Sequence, residues 1–270
     1  MLKDITLGQY FPGKSIVHRL DARTKIISTV AYMVVLFTAG NAASMALAVV
    51  FFLCADILSR VPLRQMLRGV KPILPVLLLT ALLNAFYQPG NTLFQLNLGF
   101  WQMRVTWQGL EFAVFISIRL VFLIVGTSLM TYTTSPIALS DGLEGLLAPL
   151  GKLRVPVHEL SMMMSIALRF IPTLIEETDK IMSAQKARGA DFETGSLWQR
   201  MRALLPILVP LFVSAFRRAD ELALAMDCRC YRGGAGRTKL RRLRFAGRDY
   251  TALGVMALLF AAVLLLNRLL

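Results

Sequence analysis

The 270-residue chain is 56% hydrophobic and only 17% charged, and its mean hydropathy is +0.60. A water-soluble domain carries more charge, about a quarter of its residues, so the composition argues for a polytopic membrane protein. The net charge of +14 would suggest nucleic acid in a soluble chain. Here the basic residues sit between apolar runs, where a cytoplasmic membrane face and anionic headgroups account for them and no nucleic acid is needed.

Apolar runs occupy 26–39, 42–58, 72–86, 112–132 and 250–266. A straight helix needs about 20 apolar residues to cross the hydrocarbon core, with a floor of about 17. The last two runs are long enough; the first three are expected to extend into polar flanks. Gly40-Asn41 is a tight turn signal that makes the first two runs a hairpin. No small-residue cleavage pattern marks a signal peptide, so the first span is expected to direct insertion. The N-terminal stretch holds Lys14, Arg19, Arg23 and Lys25, and the loop read at 60–71 holds Arg60, Arg64, Arg68 and Lys71. The loop at 87–108 has Arg104 as its one basic residue, with Trp101 and Trp107 suited to the membrane interface. The positive-inside rule then places the N-terminus, 60–71 and 133–249 in the cytoplasm and the C-terminus outside. The expected organisation is four spans in 1–132, a cytoplasmic helical region in 133–249 and a last span in 250–270. The fold class is an all-α integral membrane protein of about five spans plus three amphipathic helices.

Within 133–249, Ser135-Pro136 opens a short helix that closes near Gly151. A second helix follows Pro156, with Leu160, Met163, Ala167, Phe170, Ile171 and Leu174 recurring at spacings of three and four, which is an amphipathic stripe. Glu159, Glu176, Glu177 and Lys180 oppose it, and Pro172 should kink it. A third helix is expected from about 204 to 230, with Ile207, Leu208, Leu211, Phe212 and Ala215 on one side and Arg217, Arg218 and Glu221 on the other. On these bounds Pro206 and Pro210 lie in its first turns, where proline is tolerated. A glycine-rich break at 233–236 precedes the basic run Arg237, Lys239, Arg241, Arg242, Arg244 and Arg248. Faces this apolar must pack on the membrane surface, on each other or on a partner.

Each long helix ends in a small-Arg-small triplet, Ala187-Arg188-Gly189 and Cys228-Arg229-Cys230. Either each arginine caps its own helix C-terminus, or the small neighbours admit a partner's surface and the guanidinium offers a fixed charge and five donors. Two ends in parallel positions favour a device that grips two equivalent acidic grooves.

The pattern of catalytic side chains is sparse. His18 and His158 lie on separate segments, and His158-Glu159 lacks the second histidine of a metalloprotease motif. Cys228 and Cys230 have no second pair of zinc ligands nearby. Gly145 to Leu153 imitates a phosphate loop but has five residues between its glycines, and Leu153 stands where the motif needs Ser or Thr. Arg119 falls inside the fourth run, with Glu111 at its start. An intramembrane charge is a candidate for ion-coupled transport, or else it pairs within the bundle or snorkels.

Taken in order, several segments resemble one family. They are Pro12-Gly13-Lys14-Ser15, His18-Arg19-Leu20-Asp21-Ala22-Arg23-Thr24-Lys25, Thr133-Thr134-Ser135-Pro136, Leu153-Arg154-Val155-Pro156, Leu168-Arg169-Phe170-Ile171-Pro172 and both triplets. The chain resembles the transmembrane T component of energy-coupling factor transporters, vitamin and metal importers of the ABC superfamily. The resemblance implies a scaffold without catalytic activity or bound cofactor in the cell membrane. ATP and magnesium would belong to two partner ATPase subunits. Each coupling helix would dock in one of them, through Arg188 (with Ala187 and Gly189) and Arg229 (with Cys228 and Cys230). A small membrane S component would bind the substrate. The family pattern at both ends is Ala-Arg-Gly. The second triplet departs from it, and the loss of glycine at 230 removes an easy left-handed helix end. The alternative from the residues alone is a secondary transporter, which would need a polar midplane site and usually an internal repeat.

Overall fold

The computed structural model describes residues 10–87, 89, 91–97, 102–153, 155–190, 196–233 and 243–269. Trp101, Arg154, residues 234–236, and Arg237, Lys239, Arg241 and Arg242 lie outside the described residues. Internal contacts divide the chain into two compact units, one within Gly8–Leu143 and Leu243–Leu270, the other within Glu144–Arg242.

The first unit is a helical bundle. It contains α1 (Ala22–Thr38), α2 (Ala42–Ser59), α3 (Leu63–Val70), α4 (Leu74–Tyr87), α5 (Trp107–Thr133) and α9 (Gly247–Leu269). Among the described residues, four stretches are long and apolar enough to cross a membrane: Ala42–Ser59, Arg64–Phe86, Trp107–Thr133 and Gly247–Leu269. At 17 residues, α1 sits at the lower limit of a span. The core follows helical spacing. Tyr32, Val35 and Leu36 of α1, and Ala39 just past its end, meet Met45, Ala48 and Phe52 of α2, Val125, Leu129 and Tyr132 of α5, and Met256, Leu259 and Val263 of α9. The opposite faces stay apolar and exposed, as at Phe37, Ile57 and Leu258, which suits helices surrounded by lipid.

Two segments differ from the loops expected there. The stretch read as a basic loop at 60–71 is largely α3. Met66 and Val70 enter the core while Arg64 and Arg68 remain exposed, so an amphipathic period lay beneath the charge. A two-residue-period signal was hidden in 87–108. There, β1 (Thr92–Asn97) pairs antiparallel with β2 (Gln102–Thr106), Gln95 opposite Arg104, with an irregularity between Thr92 and Phe94. This hairpin joins α4 to α5, and the Thr106 hydroxyl caps α5 by accepting from Gly109 N at 3.1 Å.

Arg119 has a definite task. Its Nη2 donates to the carbonyl of Ala39 at 2.7 Å, just past the end of α1, and its guanidinium lies 5.0 Å from the Phe115 ring centre. Asn267 of α9 serves the same turn, accepting from Gly40 N at 3.2 Å. A cation at a helix C-terminus is favoured by the exposed carbonyls there. Of the two readings open in the sequence, pairing within the bundle is the one observed.

The second unit holds the end of α6 (Pro136–Leu147), a 3-10 turn (Ala148–Leu153), α7 (Val157–Ala187) and α8 (Leu197–Cys228). Helix α6 starts as its sequence predicts: Pro136 occupies the first helical position, and the Ser135 hydroxyl accepts from Ala138 N at 3.3 Å. Gly151 and Lys152 sit in the 3-10 turn, with no strand leading into it among the described residues. Helix α8 begins about two turns earlier than expected, right after Ser196, a residue type preferred at a helix start. Pro206 and Pro210 therefore lie inside the helix and not in its first turns. Each removes one backbone hydrogen bond from its interior.

Candidate functional site

The paired helices α7 and α8 carry both arginine triplets. The two helices pack on each other, joined by an ion pair between Arg218 Nη2 and Glu177 Oε2 at 3.1 Å. Glu177 lies 11 residues before Arg188, and Arg218 lies 11 before Arg229. Tyr231, just past the end of α8, donates its hydroxyl to Met162 Sδ at 3.1 Å, near the start of α7. The helices thus run in opposite senses, and their carboxyl ends emerge on opposite sides of a central crossing. Eleven residues of helix span about 17 Å, so the two ends are on the order of 30 Å apart with arms of equal length.

The helix ends share one backbone design. At the first, Arg188 is the capping residue, Gly189 N donates to Lys186 O at 3.0 Å and Ala190 N to Gln185 O at 3.0 Å. At the second, Cys230 N donates to Asp227 O at 2.9 Å and Tyr231 N to Met226 O at 3.0 Å. Both are the paired closure of a Schellman motif, which needs a left-handed residue after the cap. Gly189 supplies it with φ of 86°, and Cys230 supplies it with φ of 56°. The second end therefore keeps the geometry of the first without glycine, at a conformational cost of about 1–2 kcal/mol.

All six residues, Ala187, Arg188, Gly189, Cys228, Arg229 and Cys230, are exposed. Neither guanidinium has a hydrogen-bond or ion-pair partner among the described residues. A Cβ at position 189 would meet nothing within 4 Å, so its glycine serves the backbone angle alone. Both arginines are presented to solvent on a closed, fixed helix end, the arrangement that lets a fork of donors enter an acidic groove.

Several residues in and around the remaining motif segments are engaged inside their own units. In the bundle, His18 Nδ1 meets Ser15 Oγ at 2.6 Å and its Nε2 meets the Phe11 carbonyl at 2.9 Å. A Cβ on Gly13 would fall 2.6 Å from the His18 ring, so only glycine lets the chain wrap this side chain. Asp21 caps α1 by accepting from Arg23 N at 2.9 Å. Lys25 donates to Thr133 O at 2.7 Å and His18 O at 3.2 Å. The buried Asp249 accepts from Asp21 N and Ala246 N, each at 2.8 Å. Together these bonds fasten one end of α1, α5 and α9. In the second unit, His158 Nδ1 lies 3.1 Å from Glu144 Oε1, and Ser161 donates to Glu144 Oε2 at 2.8 Å. His158 thus helps to fix the entry to α7. Glu144, Tyr231 and the pairing of Glu177 with Arg218 were not singled out by sequence, because their partners lie 14 to 69 residues away.

The class defined by these features is a multi-pass helical membrane protein that carries a crossed pair of amphipathic helices with matched arginine ends. The family model described as CbiQ, cobalt transport protein, matches residues 13–240. Proteins named energy-coupling factor transporter transmembrane protein EcfT are similar over almost the whole chain. That of Thermosediminibacter oceani is 52% identical, covering 93% of each chain. That of Clostridium kluyveri is 52% identical over 99% of this chain and 98% of its own, and that of Bacillus subtilis 49% identical over 99% and 100%. The chain belongs to this family, the transmembrane T components of energy-coupling factor transporters.

Proposed function

We propose that the chain is the non-catalytic scaffold that couples ATP hydrolysis by two ABC-type ATPase subunits to movement of a substrate-binding S component, for uptake of a vitamin or a metal ion. ATP and magnesium belong to the ATPases, and the substrate to the S component. The observation that carries this reading is the symmetry of the crossed pair. Two identical helix closures present two arginines without a partner among the described residues, each eleven residues from one ion-paired crossing, which matches a pair of similar partners moving against each other. Arg188 docks in one ATPase and Arg229 in the other. Movement of the ATPases then shifts the crossed helices as a unit, because each end is closed and the crossing is tied.

The reading places the N-terminus and the crossed helices in the cytoplasm and the C-terminus outside, from the distribution of basic residues. The exposed thiols Cys228 and Cys230 test this: a membrane-impermeant maleimide should label them in inside-out vesicles and not in intact cells. Against a secondary transporter stands Arg119, whose guanidinium is engaged by Ala39 O and Phe115. The decisive test is the double variant Arg188→Ala, Arg229→Ala in the assembled transporter. Uptake should be lost while the chain stays in the membrane; full uptake in that variant would overturn the docking role.

A further inference from the structure

The bundle contains a cavity of about 440 Å³ that the coupling role does not use. Its walls come from α1, α2, α5 and α9, each over a similar depth, and from Ile16, Val17 and Leu20 in the segment before α1. The lining runs from Lys25 to Tyr32 on α1, from Leu58 back to Phe51 on α2, from Thr133 back to Gly126 on α5, and from Arg248 to Met256 on α9. Seven or eight residues of helix correspond to about 10–12 Å. All four helices therefore begin the cavity at the same end of the bundle and close it at the same level inside.

The two ends differ in chemistry. The inner part is apolar and aromatic. The outer end carries Lys25 and Arg248, beside the apolar Ile16, Val17 and Leu20. The Lys25 ammonium is already held by two carbonyls, whereas the Arg248 side chain is exposed and makes no hydrogen bond or ion pair among the described residues. The walls are open toward the bilayer, since Leu58 of α2 and Val255 of α9 line the cavity and each remains 52% exposed. A volume within the usual range for ligand sites, about 300–1,000 Å³, is thus open sideways between two membrane-crossing helices, with a free guanidinium at one end. The surroundings supply one molecule of matching shape and charge. Basic pockets between membrane helices take anionic phospholipid headgroups, and arginine grips phosphate with paired hydrogen bonds.

We propose that this cavity is a binding site for one anionic phospholipid, an acyl chain lying between α1, α2, α5 and α9 and the phosphate on Arg248. The bound chain fills space that the four helices leave between them, and the headgroup joins α9 to the basic membrane face.

The test uses the full chain reconstituted in vesicles of equal parts phosphatidylglycerol and phosphatidylcholine, extracted in mild detergent and weighed by native mass spectrometry. The wild type should retain one lipid, with phosphatidylglycerol favoured by about tenfold, the effect of one charge-assisted contact. Arg248→Gln should retain a lipid without that preference. Ala252→Phe, which fills the cavity, should lose the lipid; Ala55→Leu is the gentler filling variant if the phenylalanine prevents folding. An unchanged preference in Arg248→Gln, or undiminished retention in a folded cavity-filling variant, overturns the proposal.

Discussion

The base of the bundle and the tips of the crossed helices both carry family motifs rich in charge, and they use that charge in opposite ways. At the base, His18, Asp21, Lys25 and Asp249 are each engaged by a backbone group of the same unit. At the tips, Arg188 and Arg229 are exposed and engaged by nothing among the described residues. Unpaired charge is costly only where water is excluded, so the buried Lys25 and Asp249 of the base are held by groups of their own unit, while the exposed tips can hold theirs for a partner. A recurring motif in this chain can therefore hold the fold together or wait for an interaction, and only the geometry tells which.

The contrast breaks most sharply with single substitutions at the tips. Arg188→Ala or Arg229→Ala should leave the thermal unfolding of the isolated chain unchanged and weaken retention of an ATPase subunit by about 2–5 kcal/mol, as when one member of a desolvated charge pair is truncated. Co-purification under increasing salt measures the second effect; a lowered unfolding temperature would mean that the arginine serves its own helix after all. The base should respond the other way. Asp249→Leu leaves two N–H donors without an acceptor, at a cost of about 3 kcal/mol in stability. Asp249→Asn, which keeps one acceptor oxygen, should fall between it and the wild type. Thermal unfolding in detergent separates the three.

The central crossing is the intermediate case. Glu177 and Arg218 are partly exposed, at 26% and 36% of their side-chain surface, so solvent screens the pair and its loss should cost only about 0.5–1 kcal/mol. If the pair sets the crossing, exchanging the charges (Glu177→Arg with Arg218→Glu) should restore the uptake lost in either single reversal. Recovery of stability without uptake would assign the pair to folding alone.

Much of this was legible in the sequence because it rests on local signals. The stripes of α7 and α8, the start of α6 at Ser135-Pro136 and the two triplets are all readable within a few turns of helix. What escaped depended on distant partners or on competing signals. Arginines at 64 and 68 read as a loop although Met66 between them and Val70 just after them are buried in the core. Two prolines read as a helix start although the apolar stripe around them was strong enough to carry the helix through. The partner of Arg119 is a carbonyl 80 residues away, and a backbone group leaves no mark in side-chain spacing. The crossing was invisible for a related reason: Glu177 and Arg218 are each unremarkable charges on a polar face until two helices are set antiparallel.

The smallest expected effect concerns the difference between the tips themselves. Both close by the same two hydrogen bonds, yet one uses glycine at φ of 86° and the other cysteine at φ of 56°. A side chain in the left-handed region costs about 1–2 kcal/mol, and introducing glycine costs about 0.4–1 kcal/mol through the freedom it adds to the unfolded chain. Cys230→Gly should therefore stabilise the chain by roughly 0.5 kcal/mol, the difference between those two terms, and leave the helix end in place. If the two tips are interchangeable, this variant should bind both ATPases as the wild type does. A changed preference for one ATPase at unchanged stability would show that the cysteine side chain is itself read by the partner, and that two tips with one backbone design differ in what they recognise.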